Sequence, residues 1–147
     1  YSSFSVDALN LSSIGSLVEG SLLTQHWSPD LNNPTNQKFV RDFIDRTGRF
    51  PSFYAAQAYD SAMLIASAVE ATNGNLKDKD ALRSALEKGN FNWVRGQFKF
   101  NNNHFPIQNF YLREVIRLND GTYSTQIVDT IYLNHRDPYF SECLMAQ

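Results

Sequence analysis

Cysteine is almost absent from this chain, and long apolar runs are missing. The single cysteine, Cys143, cannot form an internal disulfide, so the sequence leaves the redox compartment open. The longest apolar stretch, Ala62 to Val69, is too short to cross a bilayer. The chain also has no marked excess of charge of one sign, since it contains 13 Lys and Arg and 15 Asp and Glu. This balance argues against a nucleic-acid partner. What remains is 147 residues, 42% of them apolar, which is enough for one buried core.

The patterns that mark metal, phosphate and catalytic sites are missing as well. The three histidines lie far apart, without a CxxC or HExxH pattern. No glycine-rich phosphate loop and no GxSxG nucleophile turn occurs. A Ser-His-Asp triad stays open, because its members need not be neighbours in sequence. We therefore expect a protein that is not an enzyme and that has no metal and no cofactor.

Cap residues mark three helices in the middle of the chain. Asn33 can cap a helix that Pro34 opens and that ends at Thr47, where Gly48 supplies a left-handed stop. Further helices are predicted from a Ser52 cap to about Asn73, and from Asp78 to just before Gly89. The second of these has a wide stripe of small apolar side chains, which predicts close packing against a neighbour.

Strands are predicted on both sides of the helices. The first 27 residues are interpreted as irregular chain, with Ser-rich segments over Tyr1 to Ser5 and Leu11 to Ser16 that flank a loop, followed by a strand from Leu17 to Gln25 that ends at Trp27. Phe98 and Phe100 alternate before a run of three asparagines. Strand, three helices and then strands form a pattern typical of an α/β or α+β fold.

A hairpin is predicted near the C-terminal end. Its turn is Asn119-Asp120-Gly121, and its return strand covers Tyr123 to Leu133. On the first arm, alternation places Arg113 and Arg117 on a polar face. The opposite, apolar face would carry Phe110, Leu112, Ile116 and Leu118.

Several short segments, in a fixed order, resemble the type I periplasmic solute-binding proteins, the group that includes the leucine/isoleucine/valine-binding protein. They are Glu19-Gly20-Ser21-Leu22, Asn33-Pro34 before Phe39-Val40, Thr47-Gly48-Arg49, Ala55 to Ala62 with its Tyr59-Asp60 pair, Asp80 with Leu82 and Ala85-Leu86, Arg95-Gly96 with Phe98, and Asp137 with Tyr139, Cys143 and Met145. Their joint order and spacing across nearly the whole chain are specific.

The resemblance implies an α/β protein of two Rossmann-like lobes, joined by three crossovers, with a ligand in the cleft between them. The chain would be a single C-terminal fragment, 1–147, of such a protein. Residues 1–27 and 108–135 would be strands of the second lobe, and 34–100 helices of the first. A piece of two lobes leaves apolar faces uncovered, so we expect the fragment to dimerise or exchange segments.

The resemblance also implies a binding site. Tyr54 lies where family members place a side chain against the ligand, although it could equally pack its helix onto a neighbour. The loop with Ser3, Phe4 and Ser5 lies where amino-acid-binding members carry an acidic group, yet no acid precedes Asp7. An uncharged or aromatic acid-like solute is therefore favoured over a branched-chain amino acid, with Phe4 as a packing surface. Trp27 could line the cleft or simply end a strand.

The implied function is the substrate-binding component of an ABC importer. Its partners would be a small organic solute and a membrane permease, and its location periplasmic or extracellular. Two alternatives stay open: a ligand-sensing domain of a receptor or regulator with the same fold, and a hydrolytic enzyme of unrelated fold.

Overall fold

The computed structural model describes residues 5–96 and 98–143, and within them it has an α/β architecture. The elements, in chain order, are α1 (Leu11–Val18), β1 (Leu22–Gln25), α2 (Pro34–Thr47), α3 (Phe53–Ala71), α4 (Lys79–Lys88), β2 (Lys99–Phe100), β3 (Pro106–Arg117), β4 (Tyr123–His135) and a short 3-10 helix (Phe140–Glu142).

The three predicted helices are confirmed, and their caps form as expected. The Asn33 side chain accepts a hydrogen bond from the backbone N–H of Thr35 at 3.0 Å, and Gly48 ends α2 with a φ of 69°. The Ser52 hydroxyl accepts from the backbone N–H of Ala55 at 3.1 Å and starts α3. Because each cap satisfies a backbone group that the helix leaves free, these boundaries follow from local sequence alone.

The first segment differs from the prediction. Leu11–Val18 forms helix α1, so the interpretation of Leu11 to Ser16 as irregular chain and of Leu17 onward as strand is wrong; β1 begins only at Leu22. The reason is tertiary packing, since the side chain of Tyr123 lies directly over Gly15, where a larger residue would not fit. A Ser-rich segment with weak intrinsic preference is helical where Leu11, Ile14 and Val18 pack into an apolar cluster with Leu23 and Val115.

Strand β3 is the centre of the sheet. It pairs antiparallel with β1, with β2 and with β4, and the predicted hairpin is confirmed with Arg117 opposite Tyr123. The buried face of β3, however, is the reverse of the expected one. Tyr111, Arg113 and Val115 are buried, whereas Phe110, Leu112 and Ile116 are only half-buried.

Apolar side chains gather in two separate clusters. The larger one, here called the α3 cluster, consists of Trp27, Leu31, Phe39, Val40, Phe53, Ala56, Val94 and Tyr111. The smaller one, the β1 cluster, consists of Val6, Leu11, Leu23 and Val115. Strand β3 contributes to both, because Tyr111 and Val115 lie four residues apart on the same face.

Candidate functional site

The first turn of α3 presents an aromatic side chain to the surface. The backbone N–H of Phe53 donates to the carboxylate of Asp7 at 3.1 Å, so the helix start is fixed to the N-terminal segment. Tyr54 is 56% exposed, and its ring packs against Phe53 with centroids 3.9 Å apart. A tyrosine is thus held, without being covered, where a helix N-terminus gives positive potential.

Two polar side chains lie beside this helix start. His26 follows β1 and is buried, and its Nε2 lies 3.3 Å from Nε2 of Gln57, one turn along α3 from Phe53. The imidazole also makes edge contacts with Phe53 and Phe110, with ring centroids 6.3 Å apart in each case. If the amide nitrogen donates, the imidazole nitrogen that faces it accepts and is unprotonated. The result is a polar pair in an aromatic frame.

The surroundings of His26 keep it neutral. Burial lowers the pKa of His26 to about 4, and the positive charges of Arg95 and Arg113 add to the effect. Both arginines also lie near carboxylates, with Asp60 beside Arg95 and with Asp7 and Asp30 near Arg113.

Arg95 is held by a buried ion pair with α3. Its Nε donates to the carboxylate of Asp60 at 3.0 Å, and Asp60 also accepts from the backbone N–H of Val94 at 2.9 Å. Arg95 further donates to the side chain of Gln108 at 2.9 Å and lies 4.3 Å from the ring centre of Phe98. The pair fixes the segment after α4 against α3 and β3.

The predicted site residues that the structure describes differ in their burial. Tyr54 is on the surface, and Ser5 is exposed, with its carbonyl accepting from Asn10 Nδ2 at 2.7 Å. Ser3 and Phe4 lie outside the described residues. Trp27 belongs to the α3 cluster, and its Nε1 donates to Asn36 Oδ1 at 2.7 Å. Trp27 has a place in the core, and a contact with solute stays a prediction for all these residues.

Sequence reasoning missed His26, Gln57 and Phe110. Gln57 could have been found, since it lies one turn after Phe53 in a helix that the Ser52 cap predicts and must share its side of the helix. His26 and Phe110 carry no local signal, because β1 and β3 bring them to α3 from distant parts of the chain.

Among residues 5–96 and 98–143, no three or more His, Cys, Asp or Glu side chains are grouped to hold a metal ion. No helix in these ranges is both long and apolar enough to cross a membrane.

Known proteins resemble this chain over most of its length. A family model described as "Periplasmic binding protein" matches residues 1–122. This chain belongs to the periplasmic binding protein family. The predicted resemblance and the fold class are thereby confirmed. A curated member, Leu/Ile/Val-binding protein homolog 6 of Brucella abortus, is 33% identical over 126 residues, which are 82% of this chain and 32% of the relative.

Solved structures of the family share the fold. An ABC transporter substrate-binding protein from Sphaerobacter thermophilus is 30% identical, with a TM-score of 0.81 over 90% of this chain and 36% of that protein. A solute-binding protein of an R. palustris ABC transporter, in complex with benzoate, is 28% identical, with a TM-score of 0.76 over 90% of this chain and 35% of that one. The chain therefore spans about a third of the length of these family members.

Proposed function

We propose that this chain is part of the substrate-binding component of an ABC importer and that its solute rests against Tyr54. The supporting observation is the first turn of α3, which leaves an aromatic ring exposed beside the neutral His26 and Gln57 pair. Since the chain spans about a third of its relatives, the rest of the cleft comes from parts of the protein outside it. The protein holds its solute and does not transform it.

An aromatic acid-like solute fits these surroundings better than an amino acid. An α-ammonium group needs an unused carboxylate, but Asp7 already accepts from the backbone N–H groups of Phe53 and Leu9, at 3.1 and 3.3 Å. Burial also raises the pKa of Asp7. An aromatic acid would instead place its ring against Tyr54 and its carboxylate at the N-terminal end of α3, where the helix dipole gives positive potential. The R. palustris relative in complex with benzoate supports this class.

The family supports a role in import. We propose that solute binding closes the lobes, that the closed form docks on a membrane permease, and that the protein works in the periplasm or at the cell exterior. The alternative function is that of a ligand-sensing domain of a receptor. Stimulation of a permease's ATPase by the solute-loaded protein would support import, whereas solute binding without such stimulation by any co-expressed permease would favour sensing.

Calorimetry on the intact protein that carries this chain tests the solute class. We expect benzoate or 4-hydroxybenzoate to bind more tightly than leucine. Tyr54→Ala should weaken that binding roughly tenfold, because an aromatic contact and its buried area are lost. Tyr139→Ala is the matched control, since Tyr139 is 66% exposed and lies in the C-terminal segment. Tight leucine binding without aromatic acid binding, or equal effects of the two substitutions, would contradict the proposal.

A further inference from the structure

The described part of the chain has two apolar cores that share the same strands. Leu23 of β1 lies in the β1 cluster, and Trp27, just beyond the strand, lies in the α3 cluster. On β3, Val115 belongs to the first and Tyr111 to the second. Two cores that are connected through continuous strands can change their relative orientation by small backbone adjustments in those strands.

The boundary between the two cores is polar and incompletely packed. Arg113 lies there between Tyr111 and Val115 and is 2% exposed. Its Nη2 donates to the Thr125 hydroxyl, but its Nε and Nη1 find no partner among the described residues. Beside it is a cavity of about 10 Å³, and its lining includes Asp7, Leu11, Phe50, Pro51 and Arg113.

Such a cavity has room for about one water molecule, and the free N–H groups of Arg113 would hold it. A buried cation whose donors are only partly used makes this boundary a weak one. Apolar interiors normally satisfy such groups or exclude them, because an unpaired buried donor costs free energy. The two cores are thus separated by a polar layer that water can enter at a small cost in free energy.

One hydrogen bond crosses this boundary to the start of α3. Asp7 follows Val6 of the β1 cluster, and its backbone is tied to Asn10 through a 3.0 Å hydrogen bond. Its carboxylate accepts from the backbone N–H of Phe53, which belongs to the α3 cluster and is 46 residues away in sequence. Phe53 stacks on Tyr54. The crossing contact therefore ends at the residue that supports the proposed solute contact.

We propose that Asp7 is a closing contact: the two clusters belong to two lobes, and the Asp7 carboxylate binds the start of α3 in the closed form and releases it on opening. The proposal rests on the proposed function, since it assigns Asp7 to the closure that traps the solute. Asp7 is a positioning residue, because it acts on Tyr54 through the helix and does not touch the solute. A hydrogen bond to a charged group in a buried site favours closure, and the apparent affinity follows the closed fraction.

The first test measures closure without any solute. Labels on Leu17→Cys in α1 and Ile65→Cys in α3, both exposed positions, report the distance between the lobes in the intact protein with Cys143→Ser. Asp7→Ala should shift the distance distribution toward the open form. Asp7→Asn, which keeps a carbonyl acceptor, should fall between Asp7→Ala and wild type. Asp120→Ala, in the exposed hairpin turn, is the control.

The second test measures affinity by calorimetry with benzoate and leucine. Asp7→Ala should raise the dissociation constant about tenfold to a hundredfold, the range expected for a hydrogen bond to a charged group. Folding is checked by circular dichroism. If Asp7→Ala does not fold, the affinity of Asp7→Asn is measured instead. Distance distributions that are unchanged in folded Asp7 variants overturn the proposal. A wild type that binds no solute overturns the proposed function instead, because the labels still report closure.

Discussion

The neutral state of His26 makes stability depend on pH in a calculable way. Its pKa is lowered to about 4 by burial and by the nearby charges of Arg95 and Arg113, whereas an unfolded chain has the ordinary value of 6.5. Between these values the unfolded chain binds a proton that the folded protein does not. Stability from this group is therefore complete above pH 6.5 and is lost as the pH falls toward 4. The difference of about 2.5 units corresponds to about 3 kcal/mol.

The perturbation is His26→Gln, which retains a polar partner for Gln57 but removes the titrating ring. The assay is urea unfolding at several pH values between 7 and 4, compared between wild type and variant. We expect the variant to lose less stability than wild type over this range, by up to about 3 kcal/mol. The comparison is needed because Asp7 and Asp60, whose pKa values burial raises, change stability in the opposite sense as the pH falls.

His104→Gln is the control, since His104 is about half exposed, with a side-chain exposure of 47%. NMR titration of the His26 ring gives the direct value. A midpoint near 6.5, or parallel pH profiles for wild type and His26→Gln, would show that His26 is not held neutral by burial.

Two further substitutions test the packing that supports the site. Asp60→Asn leaves Arg95 with an uncompensated buried charge and should lower the free energy of unfolding, measured in urea, by about 3–5 kcal/mol. The control Asp80→Asn, at an exposed ion pair, should lower it by at most about 1 kcal/mol. Equal losses would contradict the role of burial. Gly15→Ala would place a Cβ against the Tyr123 ring and should lower stability by about 1–3 kcal/mol in thermal unfolding. Ser16→Ala, exposed on the same helix, is the control and should change stability by less than about 0.5 kcal/mol. If Gly15→Ala left stability unchanged, the packing of Tyr123 on Gly15 would not be what holds α1 in place.

Elements that depend on local chemistry could be predicted from the sequence. The helices α2 and α3 begin where Asn33 and Ser52 cap them, and α2 ends where Gly48 adopts a left-handed conformation. The hairpin between β3 and β4 follows from a turn of three suitable residues. In each case the deciding interaction spans only a few residues.

Elements that depend on contacts with distant residues could not be predicted from the sequence. Helix α1 depends on Tyr123, about a hundred residues away, and the buried face of β3 depends on partners for Arg113. Arg113 is tolerated inside because Thr125 accepts from it and because Asp7 and Asp30 supply negative charge. An alternation rule places an arginine outside unless these partners are known.

The same division holds for the candidate site. Tyr54 could be chosen from a resemblance in sequence, and its exposure agrees with a surface role. The His26 and Gln57 pair, and the Asp7 contact with Phe53, arise only when three separate segments meet. Non-local contacts of this kind leave no pattern along the chain.

A crystal structure of the intact protein bound to benzoate or a hydroxybenzoate would show whether the solute rests against Tyr54. We expect the aromatic ring of the solute in contact with Tyr54, its carboxylate toward the side of α3 that carries Gln57, and Asp7 hydrogen-bonded to the backbone N–H of Phe53. A solute bound elsewhere, or a start of α3 that the rest of the protein covers completely, would contradict it.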